Sequence, residues 1–326
     1  MSNTAARTAL RGPYWVTVRQ HSRVLMLFAA LTLAGIGALI GYQGWASGLA
    51  ETFAASGCSV SMTTSECSDD VRSHLDNSMA FTQLLDYLGL AMIALPGLVG
   101  AYVAGPMIAR ELESGTYKLA WTQSVSPARW FAAKLAVPTV LSVAGVSLLS
   151  AAHSWARSTP TDDMYPAQWY ERIVFGATGT VPVAYTLLGL ALGALIGVAV
   201  RRTVPAMSAA ALTAGALVLA VSSQRGRLWP VETVTAPMPP ATPDSVYPVE
   251  QGMLTGTGTR IPEDACWSRA GELGQCMTDH DITAWYRDYH PESHFWPLQL
   301  VETGIVLALA ALAVAAAFRV LRSRHA

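Results

Sequence analysis

Ile108-Ala-Arg-Glu-Leu-Glu-Ser-Gly-Thr-Tyr-Lys-Leu-Ala-Trp-Thr-Gln-Ser-Val-Ser-Pro-Ala-Arg-Trp130 lies between two long apolar runs and concentrates Arg110, Glu111, Glu113, Lys118 and Arg129. Lys134 follows at the mouth of the next run. If Arg110–Thr122 is helical, Leu112, Leu119 and Trp121 form an apolar face, with turns bracketed by Gly115 and Pro127. A charged amphipathic element between membrane spans should lie in the interface and present its polar face to a soluble partner. Its two acids point the same way, because a basic cytoplasmic face would be better served without them.

The rest of the chain fits that setting. Of 326 residues, 52% are hydrophobic and 13% charged, against about 25% charged in soluble domains. Such a composition implies a polytopic membrane protein. Six runs are long enough to cross: Val24–Gly44, about Tyr87–Ala109, Leu135–Ala156, within Ile173–Val200, within Thr203–Gln224, and about Pro297–Phe318. Each offers roughly 20 residues, matching a hydrocarbon layer of about 30 Å at 1.5 Å per residue. Only Arg201-Arg202-Thr203 separates spans four and five, which predicts a tight antiparallel hairpin. Ahead of span one, Gly12–Arg23 carries Trp15 and Val18 with Arg19 and Arg23, a pattern that predicts a short interfacial helix.

Orientation follows from Lys and Arg. With a cytoplasmic N-terminus, the inner segments hold 13 of the 21 basic residues but only two acids, Glu111 and Glu113. That distribution places both termini in the cytoplasm and the protein in the cell membrane. Cys58, Cys67, Cys266 and Cys276 then all fall on the oxidising side, in outer loops 45–85 and 225–296. Two local disulfides are the economical reading among three possible connectivities. Neither pair has C-x₂-C spacing, as a zinc site would prefer.

Loop 225–296 opens Pro-rich and continues through a Gly/Thr run, Gly252 to Thr259, to an aromatic cluster at Trp285, Tyr286, Tyr289, Phe295 and Trp296. With few aliphatics it should bury little core alone, so it reads as a disulfide-stapled cap. His280, His290 and His294 occur there among acids, but Pro291 disfavours a helix that would align the last two on a metal. Asp86 and Glu302 end apolar stretches. They are expected to pair with Arg172 or sit at the headgroups, against a substrate or proton role. Gly37/Gly41 and Gly189/Gly193/Gly197 make small faces for close helix packing. Pro96, Pro138, Pro182 and Pro205 interrupt spans two to five. No G-x-x-x-x-G-K-[ST] phosphate loop occurs, so the chain is not expected to hydrolyse nucleotide by itself.

Arg110-Glu-Leu-Glu-Ser-Gly-Thr-Tyr-Lys-Leu119, with Ser126-Pro-Ala-Arg-Trp130 and Lys134-Leu135, resembles the inner loop after the second span of ABC-2 type exporter permeases. Tyr289-His-Pro-Glu-Ser-His-Phe-Trp296 and the residues after it are similar to an actinobacterial group of that family. The resemblance implies an all-α polytopic membrane protein of six transmembrane helices. To these it adds a cytoplasmic tail and interfacial helix (1–23) and a cytoplasmic coupling helix within 108–134, while the disulfide-stapled extracellular loop region, read from the cysteines, is larger than is usual in that family. It divides the chain into spans one to five (24–224), the cap (225–296) and span six with its tail (297–326).

It further implies a homodimer working with two copies of a separately encoded ATP-binding subunit, which alone binds ATP and Mg. Arg110, Glu111, Glu113, Gly115, Thr116 and Lys118 become the ATPase-contact candidates. A pathway between two permeases would be lined from spans two and five, with Tyr87, Tyr102, Asp86, Ser208, Thr213 and Glu302 as candidates beside Ser222 and Ser223. Membrane lipids, but no nucleic acid, are expected partners. An amphiphilic or hydrophobic cargo (drug, antibiotic, lipid or peptide) fits. The rival reading is a membrane sensor or immunity protein that binds an outer ligand without transport.

Overall fold

The computed structural model describes residues 18–19, 22–61, 65–122, 126–158, 167–266 and 273–323. Most of the expected interfacial helix lies outside these residues. Among the described residues, six helices are long and apolar enough to cross a membrane. They are α1 (Ser22–Ala55), α2 (Ser68–Val99) with its continuation, α5 (Pro127–Arg157), α7 (Val181–Val200), α8 (Thr203–Ser222) and α10 (Phe295–Ser323). Several exceed the hydrophobic runs read from sequence because polar turns extend them past the hydrocarbon layer. The continuation of α2 is a π-helical turn, Gly100–Ala104, leading into α3 (Gly105–Ser114). Short helices α4 (Tyr117–Thr122) and α6 (Arg172–Ala177) complete the membrane part.

Two compact units emerge. The membrane unit comprises Met1–Pro166, Ile173–Leu219 and Thr303–Ala326; the second unit, called outer after the orientation expected from the sequence, comprises Ala167–Arg172 with Ala220–Glu302.

Within the membrane unit, the glycine stripe of α7 seats the backbone of the second span. A Cβ on Gly189 would fall 2.1 Å from the Pro96 carbonyl oxygen, one on Gly193 2.5 Å from that of Gly100, and one on Gly197 3.0 Å from that of Gly105. Only glycine permits that approach, which replaces the hydrophobic drive absent between helices in lipid. By contrast, Gly37 and Gly41 meet nothing within 4 Å, so the small face expected on span one packs on no other part of the described chain. The prolines also divide. Pro96 and Pro138 lie inside helices, whereas Pro182 stands in the first turn of α7 and Pro205 near the start of α8. At those starts a missing N–H costs no helical hydrogen bond.

Spans four and five form the expected hairpin. Arg201 adopts the left-handed conformation (φ 57°), and its N–H donates to the Gly197 carbonyl at 3.2 Å. The first disulfide, Cys58–Cys67, closes the α1–α2 connection.

The outer unit is more ordered than a stapled loop. Strands β1 (Glu232–Ala236), β2 (Tyr247–Thr255), β3 (Arg260–Pro262) and β4 (Ile282–His290) form one antiparallel sheet in the order β1-β4-β2-β3. Gly258 (φ 79°) turns the β2–β3 hairpin, so the end of the Gly/Thr run, 256–259, is its loop, while Gly252 to Thr255 belong to β2. Helix α9 (Leu273–Asp279) carries Cys276, which joins Cys266 in the second disulfide. Both cysteines pack against Met253, Ile261, Ile282 and Trp285 in a small core. On β4, Asp288 accepts from Arg260 Nη1 at 2.6 Å and Thr233 Oγ1 at 2.5 Å. Arg260 lies 4.4 Å over the Tyr286 ring, whose hydroxyl donates to Glu250 at 2.8 Å. Burial and this carboxylate push the Tyr286 phenol up to about 12. Residues 167–172 join the unit: Trp169 Nε1 donates to the Ser245 carbonyl at 2.7 Å, and Tyr170 stacks on Tyr247 at 5.3 Å.

Candidate functional site

The opening stretch is not one helix. Helix α3 stops at Ser114 because Gly115 turns left-handed (φ 74°), a conformation glycine adopts without a Cβ penalty. Lys118 N–H then donates back to the Gly115 carbonyl at 3.1 Å as α4 begins. After α4, Ser126 caps α5 by accepting from the Arg129 N–H at 3.3 Å, with Pro127 in the first turn. The third span therefore starts well before the apolar run at Leu135. The result is a helix–turn–helix held at the end of the spans where Arg201, Arg202 and Arg322 also lie.

Its two acids are anchors. Glu111 receives Lys134 Nζ at 2.6 Å on one oxygen and Trp130 Nε1 at 3.1 Å on the other. The Lys134 and Glu111 side chains are 4% and 13% exposed. The pair is therefore structural, and Glu111 is turned toward α5, where the sequence suggested a side chain presented to a soluble partner. Trp130 and Lys134 stand four apart, on one face of α5, which is what lets both reach the same carboxylate. Glu113 is exposed, yet its Oε2 accepts from both Thr203 N at 2.9 Å and Thr203 Oγ1 at 2.6 Å. It thus supplies the acceptor that the first turn of α8 lacks within itself. One acid ties the element to span three and the other to span five.

Packing completes the tie. Ile108, Leu112, Trp130, Phe131, Ala194, Val198, Ala317 and Leu321 form one buried cluster, with Tyr117 and Trp121 packed against it. Trp121 meets Tyr117 at 4.5 Å and Trp130 at 6.3 Å, both edge-on, and Phe131 meets Phe318 at 4.8 Å. Side chains of spans two, three, four and six are thereby gripped by the α3–α4 corner. Arg110, Thr116 and Lys118 remain exposed, and Gly115 is half-buried at the corner. The described side chains do not include Leu119.

The other predicted residues separate into two groups. Tyr87 and Tyr102 of span two and Ser208 and Thr213 of span five are exposed on the membrane unit, as is Ser223 of the outer unit. Ser222 is half-buried. Asp86 and Glu302 are ion-paired, but not with Arg172. Asp86 accepts from Arg157 at 2.6 Å. Glu302 is fully buried and accepts from Arg225 Nε at 2.8 Å and Nη2 at 3.1 Å. Arg225 is four residues upstream of Trp229, in a segment that carries no local signal for a place beside span six.

In the outer unit, His290 is buried, with Nε2 3.1 Å from the Gly226 carbonyl and Nδ1 3.0 Å from Nδ1 of His294. A carbonyl only accepts, so Nε2 of His290 carries the proton and His294 donates to Nδ1. Burial, with His294 beside it, holds the His290 imidazole below its ordinary value. Among the described residues no group of three or more His, Cys, Asp or Glu is placed to hold a metal.

Comparison with curated proteins and with solved structures gave no match. A model of the family described as ABC-2 membrane transporter related matches residues 29–225. That segment spans more than half of the chain, from the first span through the fifth, and contains the whole α3–α4 corner. The protein belongs to the ABC-2 membrane transporter related family, as a permease subunit of an ABC transporter.

Proposed function

We propose that this permease is the membrane half of an ATP-driven exporter and that the α3–α4 corner is where a separate ATP-binding subunit docks. Family membership implies such a subunit. The observation that carries the reading is the double anchorage of the corner: Glu111 to Lys134 of span three and Glu113 to Thr203 of span five. A push on the exposed Thr116 and Lys118 is passed through buried ion pairing and aromatic packing to four spans as a rigid movement. Thr116 and Lys118 are the contacts open to the partner, with Gly115 shaping the corner, Glu111 and Glu113 working from behind it, and Arg110 on the side of α3 that lines a cavity between the spans.

The termini and the corner lie in the cytoplasm, in keeping with the excess of Lys and Arg there. Two permeases pair, and the cargo passes between them along exposed Tyr87, Tyr102, Ser208 and Thr213. Asp86 flanks that surface. Glu302, closed off by Arg225, holds the outer end in place and does not line the path. The cargo is amphiphilic or hydrophobic.

Inside-out vesicles containing both subunits test the export reading. They should accumulate a fluorescent amphiphile only with ATP and only when both subunits are present. Accumulation without the ATP-binding subunit, or none with it, defeats the proposal.

A further inference from the structure

The membrane unit contains a cavity of roughly 310 Å³ at the same end of the spans as the α3–α4 corner. Four spans wall it: Val24 and Leu25 of α1, Val103 and Met107 of the second span, Val137 and Pro138 of α5, and Met207 of α8, among others. Two polar side chains interrupt this apolar lining, Tyr102 and Arg110. Both are exposed, and neither has a hydrogen-bond or ion-pair partner among the described residues. Every other Arg or Lys of the corner region discussed above is either a partner of Glu111 or lies outside the lining.

We infer that this cavity takes the exporter's cargo, and that the cargo is an amphiphile with an anionic head, received from the inner leaflet. The inference rests on the exporter reading and adds the chemical class. A guanidinium with no partner among the described residues, at the mouth of an apolar cavity, is satisfied by a carboxylate or phosphate, which it can grip through two parallel hydrogen bonds. It repels a cationic head and gains little from a neutral one. The volume is near the lower end of the ~300–1,000 Å³ range of ligand pockets, so it seats the head and the first part of a chain. The remainder of the chain stays in lipid, beside the exposed Tyr102 and Val24.

The walls favour a cargo over a lipid bound for good. Arg110 directly precedes Glu111, on the helix that carries the anchors of the corner, so movement of the corner moves the head-binding group. The walls contain two breaks in regular helical hydrogen bonding, the π turn at Gly100–Ala104 on the span that carries Arg110 and Pro138 on α5. Such breaks are where helices change shape and are frequent at functional sites. A site that must release its occupant needs both.

The test is equilibrium binding to the purified full-length permease in phosphatidylcholine nanodiscs, without the ATP-binding subunit. The probes are dodecyl phosphate, dodecylphosphocholine and dodecyltrimethylammonium, each below its micellar concentration. Dodecyl phosphate should bind saturably and about tenfold or more tighter than the other two, as expected for a hydrogen-bonded charge pair. Arg110→Gln should abolish that preference, and Val103→Trp, which fills the cavity, should weaken all three probes. Unchanged thermal unfolding of both variants separates loss of the site from loss of the fold.

Binding indifferent to the head, or untouched by either variant, overturns the inference. So does complete suppression by phosphatidylglycerol in the disc, which would assign the cavity to a resident lipid. Because no ATPase is present, a failure of the partnership leaves this result standing. A working ATPase complex without head preference removes only the cargo class.

Discussion

Lys134 Nζ lies 2.6 Å from Glu111 Oε1, with both groups withdrawn from solvent. The first acid of the corner is therefore bound to the third span and is not a surface contact. A lone charge left at that place is poorly solvated.

Removing one partner should accordingly cost more than removing both. Lys134→Met or Glu111→Gln alone is expected to destabilise the permease by about 3–5 kcal/mol, the range for breaking a buried pair. The Lys134→Met, Glu111→Leu double variant should recover much of that loss. Thermal unfolding in detergent, followed by size-exclusion recovery, checks this.

Glu113 and Thr203 act as one unit, so their substitutions should not add. Glu113→Ala and Thr203→Val are each expected to reduce ATP-driven transport, and the double variant to reduce it no further. Binding of the ATP-binding subunit should be retained in all three. Additive losses would mean that the two residues serve separate purposes.

The glycine stripe predicts a graded steric series. Gly193→Ala places a Cβ 2.5 Å from the Gly100 carbonyl oxygen, and overpacking of this kind costs about 1–3 kcal/mol. Gly41→Ala meets open space and should change stability by no more than about 0.5 kcal/mol. Comparing the two variants' unfolding temperatures distinguishes a tight crossing from general intolerance of side chains.

Acid should loosen the outer unit. His290 resists protonation in the fold, while an unfolded chain takes up its proton near pH 6.5. The unfolded state then binds more protons just below that pH, and stability falls as pH falls through the window between the unfolded and the lower folded pKa. Gly226, His294 and Glu232 face the ring. Hydrogen exchange over residues 225–290 of the intact permease, corrected for intrinsic rates, should accelerate between pH 7.5 and 5.5. His290→Gln, which cannot titrate, should flatten the dependence.

Much of the fold was legible because membrane burial leaves long signals. Charge-free runs, the Arg201-Arg202-Thr203 connection and the paired cysteines each reflect a constraint acting along the chain, and the structure follows them. The outer sheet was hidden because the paired positions of β1 and β4, from Ala236↔Trp285 to Glu232↔Tyr289, are 49 to 57 residues apart, and neither strand alternates cleanly between apolar and polar residues. Proline and glycine between them read as loop, which they are, while the pairing is long-range. At the site, the α3–α4 corner was visible in Gly115 and in the alternation of charge. The roles of its acids were not. Nothing local says that Glu111 reaches Lys134 across a turn, although Trp130 and Lys134 at helical spacing offered the hint. The bond from Glu113 to Thr203 spans 90 residues and depends on how spans two and five cross.

The most direct test of the account is ATP hydrolysis by the purified complex of this permease with its ATP-binding subunit. The account predicts that wild-type permease stimulates hydrolysis and that Lys118→Glu, at an exposed residue of the corner, abolishes the stimulation without lowering the unfolding temperature. A permease that neither retains nor stimulates the ATP-binding subunit, or a Lys118→Glu variant as active as wild type, would contradict it.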